Sequence, residues 1–453
     1  MTRATTIGTA LVLGIALLVF SVIALSPEGE NGSGPAPRSS ATTARPSDAD
    51  AATAADGGSG LLYGRITTGS ATYEGRLRWG GDQEASWGDY FDGTKSANPW
   101  ADYAPVARSE KERLKIEVFG FAFGGPDRSH LKRRFLARFG DVARIVRGFK
   151  EVQVTLKSGT VVTLDRFEAG DIDDGVRVWD RSGGQVDVDD GEIRTIEFLP
   201  APAPAGAPER LHGVVRSSRG EFTGFIGWDQ YDGVSTDTLE GRTADGEQRV
   251  RYDTIRAIAR ASRDSALVTL HDGTELVLSK TRESGRGHRG VYVDDTRYGR
   301  VLISWDTFER VDFRPGGTPP GYADFEPGRP LGGVVTTRDG RRLDGRLVYD
   351  FDESETTETL DVSFRGVDYG IPLGMIASLV PPTRAGGSGA AGQVVLHGGE
   401  ALPVEPSGDV GAGNAGMLVF VEGRERPEHV PWAEVARIDF DTPHGAFGAR
   451  VVK

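Results

Sequence analysis

A short pattern occurs three times in this chain, and any fold must house it three times. Leu62 to Trp79 reads LYGRITTGSATYEGRLRW, Leu211 to Asp229 reads LHGVVRSSRGEFTGFIGWD, and Leu331 to Asp350 reads LGGVVTTRDGRRLDGRLVYD. The shared template is Leu-x-Gly, two β-formers, a small polar turn, then x-Gly-x-aliphatic-x-aromatic. Its glycines come in pairs: Gly64 and Gly75, Gly213 and Gly224, Gly333 and Gly345. Apolar and polar residues alternate around a turn, which is the signature of a half-buried hairpin. Repeats of this kind are found before any motif is trusted.

The likeness extends along each copy. VQVTLKSGTVVTL from Val152, ALVTLHDGTELVL from Ala266 and QVVLHGGEALPV from Gln393 each read as strand, polar turn, strand. Asp272-Gly273 and Ser158-Gly159 suit those turns because glycine takes positive φ without a steric cost. Gly175 to Phe198 aligns without gaps to Gly290 to Phe313, and Gly416 to Phe440 follows with one insertion. Trp305 and Trp432 fall at equivalent positions and are expected in the core. Pro-rich linkers, residues 200–210 and 314–330, separate copies 61–199, 211–313 and 331–441, and residues 442–453 form a tail.

Each copy also contains two similar halves. Both end in a strand, a one-turn helix and a last strand. Ile255 and Ile258 match Phe308 and Val311; Val142 with Ile145 and Ile376 with Leu379 hold the same places. About five short strands with such a turn before the last resemble a small SH3-like or Sm-like barrel. The resemblance is at the level of fold and covers residues 61–441. It implies an all-β chain of three tandem repeats, each a pair of small barrels. Pairing is expected because a barrel of about 50 residues buries too little surface alone.

Ahead of the repeats lies a different kind of segment. After residues 1–6, a cytoplasmic start, Ile7 to Leu25 reads IGTALVLGIALLVFSVIAL, with only Thr9 and Ser21 as polar interruptions. That length suits a signal-anchor that spans the membrane; a signal peptide cut near Ser26 is the alternative. Residues 26–60 are rich in Pro, Gly, Ser, Ala and Asp and read as a disordered tether. Arg3 before the apolar run and Glu28 and Glu30 after it orient the rest away from the cytoplasm. The expected location is the cell envelope.

Composition narrows the chemistry. The net charge of −13 disfavours nucleic-acid partners. There is no cysteine, so disulfides, thiolate zinc sites and cysteine nucleophiles are excluded. GRGHRG, Gly285 to Gly290, matches a dinucleotide fingerprint but precedes VYVDD, a strand, where a helix start is needed. It is expected to be a hairpin loop. Ser129 to Lys132 matches Ser-x-x-Lys without the companion motifs. The acidic runs Asp171 to Gly175 and Asp187 to Glu192 place glycine at the wrong position for an EF-hand and are expected on a solvated face. The scattered histidines carry no metal-ligand spacing. HLKRRFLARF, His130 to Phe139, is expected to be a strand. No cofactor, metal site or catalytic set is expected.

One stretch of copy one departs from the repeat. Between RLRW and LKIEVFGFAF lies a long loop, Gly80 to Arg113, with Trp87, Tyr90, Phe91, Trp100 and Tyr103. Clustered aromatics on a loop suit protein contacts or sugar stacking. The expectation is therefore a non-enzymatic, membrane-tethered envelope protein binding a protein or cell-wall glycan through these rings. The alternative is a carbohydrate-active hydrolase using paired carboxylates from Asp82, Glu84, Asp89 and Asp92, which such chemistry needs about 5–10 Å apart.

Overall fold

The computed structural model describes residues 59–80, 83–103, 116–118, 121–123, 134–169, 172, 175–202, 207–383 and 391–442. The apolar run 7–25, its tether through residue 58 and the tail from 443 lie outside these. Among the described residues the elements are β-strands and three-residue 3-10 turns, and no helix is long and apolar enough to cross a membrane. The molecule is all-β, built of several antiparallel sheets.

Residues 211–313 carry the plan most fully. Ten strands follow in chain order: His212–Ser217, Gly220–Gly227, Thr238–Thr243, Gly246–Arg251, Ile255–Ser262, Ser265–Leu270, Glu275–Ser279, Val291–Asp295, Gly299–Ile303 and Phe308–Phe313. Across the sheet their order is fourth, third, seventh, sixth, fifth, tenth, first, second, eighth, ninth. The eight positions from seventh to ninth recur in the same order within 61–199 and within 331–441. The counterparts in 61–199 of the third and fourth strands, Tyr90–Thr94 and Arg134–Arg138, form a two-stranded sheet of their own. HLKRRFLARF thus contributes a strand at Arg134–Arg138.

Inside each of these sheets the fifth and tenth strands lie side by side. Ile258 pairs with Val311, Ile145 with Ile196, and Leu379 with Ile438. Residues at the same place in the two halves therefore face one another, as a local two-fold axis between those strands requires. The fifth and tenth strands join the two halves in one sheet. Their first hairpins are also exchanged. The hairpin 212–227 pairs with the second half, at Phe308–Phe313 and Val291–Asp295, while 265–279 pairs with the first. In 211–313 a tight turn enforces this arrangement. Ser262 pairs with Ser265, so only Arg263 and Asp264 connect the fifth strand to the sixth. A connection that short forces the sixth strand to lie beside the fifth. That leaves the first strand to pair with the tenth.

The paired glycines are explained by this crowding. Gly75, Gly224 and Gly345 sit opposite Gly64, Gly213 and Gly333. A Cβ at Gly75 would overlap the Trp179 carbonyl, one at Gly224 that of Asp294, and one at Gly345 that of Phe420. The first glycine of each pair abuts a carbonyl of the tenth strand in the same way. Only glycine lets these backbones cross so closely. The aromatic that closes each template, Trp79, Trp228 or Tyr349, is fully buried.

Two main cores result. One unbroken apolar cluster runs through 211–313 and 331–441 and holds both Trp228 and Tyr349. The sheet is continuous there too, since Arg300–Ile303 pairs with Val367–Gly370. Residues 61–199 have their own core around Trp79, Phe91 and Phe139. The 314–330 stretch is more than a spacer: Tyr322 enters that second core and donates its hydroxyl to the Val142 carbonyl at 2.9 Å.

Candidate functional site

The loop that follows each second strand positions the most polar chemistry in the molecule. It begins with left-handed backbone at Gly80, at Asp229 and Gln230, and at Asp350 and Phe351. A carboxylate then accepts two consecutive backbone N–H groups. Asp89 accepts from Glu84 and Ala85, both at 2.8 Å; Asp237 from Gly233 and Val234 at 3.0 and 3.1 Å; Glu358 from Ser354 and Glu355 at 2.6 and 2.9 Å. The turn is thereby fixed, and its carboxylate is held at a boundary between segments.

Each of these carboxylates meets cations from another segment. Arg78 pairs with Asp237 at 2.9 Å. Lys95, only 7% exposed, reaches Asp352 at 2.6 Å and Glu358 at 3.3 Å. Asp89 lies in the field of Arg210 and Arg300, which counter the upward push of burial on its pKa. Burial also works against the charge on Lys95, but Glu358 and Asp352 outweigh it and hold the ammonium above its usual range. Residues 61–199 are thus bonded to both neighbours through buried charge.

The five aromatic residues singled out from the sequence do not share one exposed surface. Phe91 is fully buried against Trp79, at 5.5 Å between ring centres. Tyr90 is buried under the Arg300 guanidinium at 4.2 Å, and burial lifts its hydroxyl to about 12. Trp87 is partly exposed; its ring lies 6.3 Å from Phe325, and its carbonyl accepts from Arg210 at 2.6 Å. Trp100 and Tyr103, also partly exposed, pack on Phe420 of 331–441 at 5.8 and 6.0 Å. The structure brings Trp100 and Tyr103 together on that neighbour and puts Trp87 on the 314–330 stretch.

The carboxylates of the alternative reading are committed elsewhere. Glu84 is pushed up to about 7 by burial, opposed by Arg78 and Arg76, and pairs with Arg76 at 2.6 Å. Glu84 and Asp89 border a space of about 10 Å³, room for about one water. Asp92 faces Arg134, and Asp82 lies outside the described residues.

A larger cavity, about 270 Å³, opens where 61–199 meets 331–441. Lys95, Arg134 and Leu136 line one side; Asp350, Asp352, Glu353, Glu358, Asp361 and Asp409 are among those lining the other. Burial pushes Asp409 up to about 7 and Glu353 well above the usual carboxylate range. Among the described residues no cluster of three or more His, Asp or Glu is arranged to hold a metal ion.

The sequence motifs resolve into turn chemistry. Gly285 to Gly290 leads into strand Val291–Asp295. In that loop His288 accepts the Gly290 N–H at Nδ1, as Asn414 Oδ1 accepts that of Gly416 in the equivalent loop. Asp187 pairs with Arg177, and Asp190 with Arg147 and Arg166. Asp171, Asp173, Asp174, Ser129 and Lys132 lie outside the described residues. Sequence reading named Asp89 only as a candidate catalytic acid and missed Asp237 and Glu358, although a small polar run followed by an acid recurs in EASWGD, VSTD and ETTE. It also missed Phe149 and Phe167, the most exposed large apolar side chains among the described residues.

No protein-family model matches this sequence, and a search of curated proteins finds no similar chain.

Proposed function

We propose that the chain is a non-enzymatic, membrane-tethered protein of the cell envelope that binds a protein or glycan partner. Each ten-strand segment is read as two small SH3-like or Sm-like units that have traded first hairpins. The three segments follow in tandem after the anchor and its linker. One observation carries the binding reading. The loop 80–113 is an insertion relative to the sister segments, and it reaches both neighbours while leaving Trp87, Trp100 and Tyr103 partly exposed along the boundaries. Aromatic side chains held rigidly at a rim are effective contact residues because little conformational entropy is lost on binding. The apolar run 7–25 supports attachment outside the cytoplasm; cleavage there would release the same binder.

The test is capture from an envelope extract by the parent chain and by Trp87→Ala and Trp100→Ala, with melting temperature read in parallel. Loss of a captured protein or glycan with a melting temperature within a few degrees of the parent supports the reading. Unchanged capture by both variants overturns the assignment to these rings.

A further inference from the structure

Residues 61–199 display two nearly bare phenylalanines. Phe149 is 88% exposed and Phe167 78%. They sit at one end of the sheet, since the Arg166 N–H donates to the Lys150 carbonyl at 3.2 Å and Glu151 pairs with Asp165. The backbone beneath them is fixed. Asp165 caps the Phe167 N–H at 2.9 Å, and Arg147 and Arg166 both clamp Asp190, at 2.9 and 2.8 Å. The sister segment 211–313 acts as a control. The corresponding turn in 211–313 is the polar Arg263-Asp264, and the position of Phe167 is taken by Thr281, whose hydroxyl donates inward to Glu240. Packing of this fold therefore does not require either ring.

We infer that Phe149 and Phe167 dip into the interface of the lipid bilayer to which the chain is tethered. This rests on the membrane-tether reading above. Phenylalanine has no polar handle to satisfy, so the preferred surroundings of the pair are apolar. The nearby charges, Arg147, Lys150 and Arg166 against Glu151, Asp165, Glu168 and Asp190, nearly balance. The contact is therefore apolar and needs no anionic lipid. Reach is sufficient. The register places the pair at the far end of strand Tyr63–Thr68 from the point where the tether joins, about 20 Å away. The composition of Pro27 to Gly58 is that expected of a flexible linker, and 32 residues of such composition would give a root-mean-square reach of about 31 Å. Two rings bind weakly alone, but a tether raises their effective concentration at the surface into the millimolar range.

The absence of cysteine allows a clean test. Full-length chain carrying Lys150→Cys is labelled with a polarity-sensitive fluorophore and reconstituted into phosphatidylcholine vesicles; Val277→Cys, at a 54% exposed position, is the reference. The inference predicts a blue shift at position 150 on reconstitution, none at 277, and loss of the shift when Phe149→Ser and Phe167→Ser are added. Chain that floats with the vesicles while its position-150 probe emits as in water overturns the inference and leaves the tether standing. Chain that does not float with the vesicles overturns the tether reading and the inference with it. A shift at position 150 that persists at full size when Phe149→Ser and Phe167→Ser are added means that something other than the pair covers the probe, and this also overturns it.

Discussion

The two kinds of boundary inside this molecule are built from opposite materials. Between 211–313 and 331–441 the sheet and core are continuous: Leu302 lies opposite Asp368, and Tyr369 packs on Phe222 and Tyr298. Around 61–199 the bonds are charges and loop rings, with Lys95, Arg78 and Trp100 as the main contacts. Edge chemistry accounts for the difference. Joining 61–199 to 211–313 by the same strand pairing would set Asp187 opposite Glu247, since these residues stand where Leu302 and Asp368 stand. Like charges directly opposite are destabilising in a sheet. A repeated architecture can thus be assembled through different interfaces without altering the repeat, and the odd segment is the one carrying the long loop.

The largest expected effect falls on the charged boundary. Lys95→Met leaves Asp352 and Glu358 buried without their cation and should cost about 3–5 kcal/mol in urea unfolding. A cost below about 1 kcal/mol would mean that the boundary is open in solution. Tyr369→Ala breaks the apolar boundary by removing a buried ring and should cost about 3 kcal/mol. It should loosen 211–313 and 331–441 together in hydrogen exchange while leaving the core around Trp79 protected. Loosening of only one of the two would contradict a shared core.

Acidity sharpens the comparison further. Asp409 is pushed from its usual 3.8 up to about 7 by burial, so the folded state holds its proton where the unfolded chain has lost it. Stability contributed by that proton is present below about pH 4 and is lost as pH rises to about 7. Asp409→Asn should therefore gain on the parent by about 1–2 kcal/mol across that window, the face value being discounted for partial exposure. No further gain is expected above pH 8; equal melting curves at pH 4.5 and 7.5 for both proteins would remove the effect. Smallest of all, Phe149→Ser with Phe167→Ser should change stability by less than about 0.5 kcal/mol, because neither ring packs on the core.

Much of the fold was legible in the sequence. Alternation and turn glycines located the hairpins, and the match of Ile258 with Val311 marked strands that prove to be neighbours. The exchange of hairpins was not legible. Both halves present the same pattern, so either hairpin fits either partner; in 211–313 the two-residue turn at Arg263-Asp264 breaks the tie. The site was less legible still. Aromatic content drew attention to Gly80 to Arg113, but whether a ring faces solvent depends on which segment folds over it. Phe91 and Trp100 look alike in sequence and end in different surroundings. Phe149 and Phe167 are isolated in strand turns, where one apolar residue raises no periodic signal.

The central architectural claim is that the fifth and tenth strands join the two halves of each segment in one sheet, with the first hairpins exchanged. It is tested by disulfide trapping in a chain that has no cysteine of its own. Arg216 lies opposite Arg310 across the first and tenth strands, whereas an unexchanged half would set Arg216 opposite Ala257. Under mild oxidation, Arg216→Cys with Arg310→Cys should crosslink in native protein and Arg216→Cys with Ala257→Cys should not, as read by mass spectrometry of unreduced peptides. The reverse pattern would contradict the account.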